Sequence, residues 1–100
     1  MPTYISLMKL TDQGIKEVKG APNRVDAAAK NLEALGGKLT AFYAVMGEYD
    51  YVAIAEVPSD EVGMSFMLTL ASAGNVRTTT LKAFDRKQFA AIVDKVPIQL

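Results

Sequence analysis

Residues 46–57, MGEYDYVAIAEV, set a short turn ahead of a run in which only Glu56 is charged. In that run Tyr51, Val52, Ala53, Ile54, Ala55 and Val57 are apolar or aromatic at both odd and even positions. Just upstream, KLTAFYAVM (38–46) does the same with Leu39, Ala41, Phe42, Tyr43, Ala44, Val45 and Met46. A strand that meets water on one side alternates apolar with polar residues. These two strands do not, and the short GEYD link (47–50) makes them an antiparallel hairpin. Whatever fold this chain adopts must therefore hide both faces of that hairpin.

The remaining elements follow from periodicity and punctuation. TYISLMKL (3–10) is rich in β-formers and reads as strand one, with Tyr4, Ile5, Leu7 and Met8 again on mixed parity. Thr11 can cap a short turn that opens with Asp12. Pro22 suits the first helical position of a segment whose stripe is Val25, Ala28, Ala29, Leu32 and Leu35, stopped by Gly36-Gly37. Ser59 caps a second long helix, 59–74, in which Phe66, Met67, Leu70 and Ala71 share one face and Ser65, Thr69 and Ser72 another. VRTTTLKAF (76–84) is strand four. Asp85 opens a terminal helix, 85–96, with the stripe Phe89, Ile92, Val93 and Val96, ended by Pro97.

Composition excludes several chemistries. The chain has 100 residues, enough for one domain covering 1–100 with a single core. It contains no Cys and no His, so thiol chemistry, thiolate metal sites, histidine-ligated zinc, haem with a histidine ligand and a Ser-His dyad are closed to it. Any metal would be a hard cation held by carboxylates. No metal and no cofactor is expected. Eleven basic residues balance eleven acidic ones, so nothing draws the chain to nucleic acid or to an anionic membrane. The uncharged run between Glu61 and Arg77 is too short for a span of about 20 apolar residues. The first residues lack a basic leader and an apolar leader core, so a cytoplasmic location is the expectation.

The order β-α-β-β-α-β plus a terminal helix is the ferredoxin-like pattern, an α+β fold. Right-handed crossovers then order the four antiparallel strands 4-1-3-2, with both long helices on one face. The second face needs a cover, because a bare apolar face of this kind marks an interface. A standard interface buries about 800 Å² per partner, worth on the order of 12 kcal/mol before association costs if about 60% of it is apolar. Either a second copy packs sheet on sheet, or the terminal helix folds across. The first is favoured, making the chain's principal partner itself.

Strand order also gathers polar residues. Strands three and four start, and strands one and two end, at one edge of the sheet. Lys9, Tyr43, Gly47, Glu48, Tyr49, Asp50 and Arg77 are therefore expected near one rim. Two readings fit. In one, Gly47 supplies a positive φ, Asp50 accepts turn amide protons and Tyr49 packs at a subunit boundary. In the other, Arg77 and Lys9 hold a carboxylate, Tyr49 or Tyr43 offers a ring and hydroxyl, and Asp50 takes an amine or hydroxyl. Glu48 and Asp50, two apart on a turn, do not by themselves make an acid/base pair.

GEYDYVAIAEVPSDE, followed by GNVRTTTLKAF and preceded by LMKLTDQGIK, resembles the GYD-domain family of the dimeric α+β barrel superfamily. The family motif maps onto Gly47, Tyr49 and Asp50, with Glu48 between the first two. The resemblance implies a barrel built from two four-stranded sheets and implies no particular activity. The hairpin-helix-strand portion is also similar to the amino-acid-sensing domain of Lrp/AsnC regulators, which bind effectors between subunits. Those regulators place a helix-turn-helix ahead of that domain, and this sequence has no residues over for one.

The function expected is a homo-oligomer binding a small amino-acid-like or carboxylate ligand near the subunit boundary, as sensor, carrier or accessory module. Two alternatives stand beside it. One is a cofactor-independent enzyme, like the monooxygenases and isomerases of that superfamily, working in a cleft between sheet and helices. The other is a structural or partner-binding module with no ligand.

Overall fold

The computed structural model describes residues 1–97. Strand β1 (Thr3–Leu10) leads into a one-turn helix α1 (Asp12–Lys16), a 3-10 turn (Val18–Gly20) and helix α2 (Ala21–Ala34). Strands β2 (Lys38–Ala44) and β3 (Tyr51–Glu56) follow, then helix α3 (Asp60–Ser72), strand β4 (Val76–Ala83) and helix α4 (Arg86–Val93). The four strands form one antiparallel sheet in the order β2-β3-β1-β4. This is the ferredoxin-like topology that the order of elements predicts.

Local chemistry sets the ends of the helices. The Thr11 hydroxyl accepts from the Gly14 amide at 3.1 Å, and the Ser59 hydroxyl accepts from the Val62 amide at 3.2 Å. Asp60 and Glu61 then place two carboxylates at the positive end of α3. At the other end of α2 the Gly37 amide donates to the Leu32 carbonyl and the Gly36 amide to the Glu33 carbonyl, with Gly36 at φ 86°. That double bond is a Schellman cap, which needs a residue free to turn left-handed.

Register fixes the two faces. Tyr4, Ser6 and Met8 of β1 pair with Ala55, Ala53 and Tyr51 of β3 and with Lys82, Thr80 and Thr78 of β4. This parity faces the helices. The core beneath them is small: Leu32, Val57 and Phe66 are buried together, with Tyr4, Leu39 and Leu70 packed around them. Ser6 is buried among them and its hydroxyl meets Thr80 Oγ1 at 2.9 Å. Asp60 bonds the Tyr4 hydroxyl and pairs with Lys82 at 3.1 Å, pinning the start of α3 over β1 and β4.

The opposite parity carries Ile5 and Leu7, paired with Ile54 and Val52 on one side and with Leu81 and Thr79 on the other. No helix covers it. All eight residues of α4 are exposed, with Phe89 at 62% and Val93 at 48%. The chain measures 55 × 31 × 20 Å. Folding of the terminal helix across the sheet, one of the two expected covers, does not occur.

Several boundaries fall short of expectation, α3 spanning Asp60–Ser72 and β4 ending at Ala83. Strand β2 stops at Ala44, and Val45 and Met46 belong to the connection, Met46 being fully exposed. The cause is Asp50. Its carbonyl accepts from the Val45 amide at 2.9 Å while its own amide donates to the Met8 carbonyl at 2.8 Å, so the loop closes early. Helix α4 ends at Val93, and residues 94–96 continue as turns.

Candidate functional site

The expected rim exists in part. Lys9 and Arg77 are direct partners across the β1–β4 ladder, both on the face without helices. The Lys9 ammonium lies 3.6 Å from a Glu48 carboxylate oxygen and 5.3 Å from the centre of the Tyr49 ring. These four residues form one polar cluster at the edge of the apolar face. Both members of the Lys9–Glu48 pair are well exposed, so its Coulomb energy is largely screened.

The other expected residues lie around this cluster without joining it. Tyr43 shares the open face, but it pairs with Val52 on the outermost strand, three strands from Arg77. At about 4.8 Å per strand that is roughly 14 Å, too far for one small molecule to touch both easily. Gly47 sits at φ 120° in open space. One Asp50 carboxylate oxygen accepts from the Leu10 amide at 2.8 Å. That amide belongs to β1, not to the turn, so Asp50 ties the hairpin connection to the neighbouring strand.

A second feature lies on the helical side of the sheet, where the enzyme alternative expects a cleft, but its lining residues were not singled out from the sequence. A cleft of about 260 Å³ opens between α2, α3 and the strands. Its floor includes Met8, Leu10 and Tyr51; α2 lines it with Ala21, Arg24, Val25 and Ala28; α3 and its C-cap line it with Phe66, Thr69, Leu70 and Ala73. The cause is a change of volume along one helical stripe. Leu32 closes the core at the far end of α2, whereas Ala21 and Ala28 are too small to reach across. Neither Tyr43 nor Lys9 lines this cleft, and no carboxylate of the described residues does. The sequence signal was the run DAAAKNL, whose alanines read equally well as ordinary core. Among the described residues no group of His, Cys, Asp and Glu could hold a metal ion, and no helix is long and apolar enough to cross a membrane.

A four-stranded antiparallel sheet in this order, helices on one face and an uncovered apolar face on the other, defines a ferredoxin-like α+β domain. The GYD domain profile matches residues 4–93, and the chain belongs to the GYD-domain family. The chain is 40% identical over 84 residues to the glutamine synthetase and cystathionine beta-lyase binding protein of Thermus thermophilus, covering 83% of this chain and 88% of that protein. In fold it is similar to the feast or famine regulatory protein of M. tuberculosis complexed with L-methionine, with TM-score 0.55 and 21% identity. That match covers 85% of this chain and 51% of the regulator, so the chain spans about half the regulator's length. A hypothetical protein from Pyrococcus horikoshii matches with TM-score 0.56 and 22% identity over 86% of this chain and 93% of its own.

Proposed function

We propose that this protein is a self-associating module that binds a small amino-acid-like or carboxylate ligand at the Lys9–Arg77 rim, near the boundary between two copies. It would serve as a sensor, a carrier or an accessory module. One observation carries the reading: two cations stand directly opposite each other at the edge of an uncovered apolar face. Like charges paired across neighbouring strands destabilise a sheet. Glu48 offsets one of them, and an anion seated beside Arg77 would offset the other.

Surface area supports self-association. The chain exposes 7258 Å², whereas a folded monomer of 10.8 kDa exposes about 5,500 Å². The excess, about 1,700 Å², is roughly twice what one partner buries in a standard interface. The radius of gyration points the same way: 15.7 Å against about 13 Å for a compact domain of this length. Two copies pairing through their open faces would give the dimeric α+β barrel.

The Thermus relative favours a second version of the same role. Its name describes a protein that binds two enzymes, and 40% identity makes an accessory module the form of the proposal that involves a protein partner.

Equilibrium dialysis and thermal-shift measurements against the twenty amino acids test the ligand. At least one is expected to bind and to weaken roughly tenfold in Arg77→Ala. If no amino acid binds, the ligand reading falls. Biolayer interferometry with purified glutamine synthetase and cystathionine beta-lyase then reads the accessory role directly.

A further inference from the structure

We infer that the cleft between α2, α3 and the sheet is a second binding site, for a compact apolar carboxylate anchored by Arg24. It lies on the opposite face of the sheet from Lys9 and Arg77 and does not depend on the rim. Its volume, about 260 Å³, falls just below the usual range for small-molecule pockets, about 300–1,000 Å³. The occupant is therefore one ring or one branched chain with its acid group, and not a nucleotide.

The walls select for apolar matter. Met8 and Phe66 are nearly buried at the base, and Val25, Ala28, Leu70 and Ala73 face each other across the opening. Among the described residues Arg24 is the one ionised side chain in the lining. Its Nη2 donates to the Glu17 carbonyl at 2.8 Å, and no carboxylate of the described residues is within ion-pair distance of it. A Cβ on Gly20 would lie 2.9 Å from Nη1, so the bare backbone there leaves the guanidinium its place. A guanidinium carries five N–H donors in a planar fork matched to a carboxylate. Here only one bond within the described residues uses that fork. The cleft thus presents an apolar body with, at its edge, a cation that no carboxylate of the described residues pairs. Among the described residues its lining holds no lysine and no carboxylate.

Isothermal titration of the whole protein with phenylacetate, indole-3-acetate and 4-methylpentanoate tests this, with phenylacetamide as the uncharged control. At least one acid is expected to saturate with a Kd below ~1 mM. Arg24→Gln should weaken that acid roughly tenfold and leave phenylacetamide unchanged. Arg24 is half-exposed, so this variant keeps the fold and its result stands alone. Ala28→Leu and Ala73→Leu fill the cleft from opposite walls, and either one that folds by circular dichroism should abolish binding. Arg77→Ala should leave it intact. The inference is overturned if none of the three acids saturates, if binding survives a folded filled-cleft variant, or if Arg77→Ala removes it in place of Arg24→Gln. That last result would move the acid to the rim and support the reading above instead.

Discussion

Asp50 ties the hairpin connection to β1 twice, through its amide to Met8 and through its carboxylate to the Leu10 amide. Removing the carboxylate leaves the Leu10 amide without its partner. Asp50→Ala should therefore lose about 1–3 kcal/mol in urea unfolding, while Asp50→Asn, which keeps an acceptor oxygen, should lose clearly less. A comparable loss in both variants would show that charge, and not the hydrogen bond, matters there. Gly14 makes a different kind of demand. A Cβ at that position would meet the Asn75 carbonyl oxygen at 2.1 Å, a main-chain atom that cannot rotate away. Gly14→Ala is expected to cost about 1–3 kcal/mol through forced displacement of α1 from the α3–β4 turn. Gly47→Ala has open space around it, and its cost, about 1–3 kcal/mol, comes from the left-handed backbone alone.

Among the elements, α2 shows best what could be read in advance. Its stripe predicts both Leu32 and Leu35 as inward residues, yet Leu32 is 1% exposed and Leu35, at the cap, is 45% exposed. Leu32→Ala should cost about 2–5 kcal/mol. Leu35→Ala should stay within about 0.5 kcal/mol, and equal losses in thermal melts would contradict the packing described. Periodicity revealed α2 and the two faces of α3, because each repeats a local signal over several residues, and the right-handed crossover rule turned the order of elements into the order of strands. The early end of β2 was hidden, since it depends on a bond from Asp50 to a strand some forty residues earlier. The residues that line the cleft were hidden for a similar reason. An alanine facing the core looks the same whether the opposing wall reaches it or not. At the rim, strand order alone placed Lys9, Glu48, Tyr49 and Arg77 together, and the register makes Lys9 and Arg77 direct partners. Tyr43 was drawn into the same group because an edge can be inferred without its width.

At the scale of the whole molecule, the uncovered face decides how the protein behaves in solution. If two copies hide Ile54 against each other, Ile54→Glu should convert the dimer to a monomer by light scattering and lower the melting temperature. If the chain works alone, the same change at a half-exposed position should shift stability by only about 0.5 kcal/mol and leave the mass unchanged. The opposite side of the sheet carries a different asymmetry. Thr11 and Gln13 bond the main chain of Gly74, Ala73 and Asn75, and Asp60 fastens α3 to two strands. Helix α2 is held at its far end, where a Cβ on Gly37 would come within 2.8 Å of the Glu56 carbonyl and Leu32 is sealed in the core. At its near end, Arg24 reaches only a carbonyl of the preceding turn. If α2 is the less firmly held wall of the cleft, amide hydrogen exchange along Arg24–Ala28 should outpace that along the facing turns of α3, and equal protection would show both walls to be fixed alike.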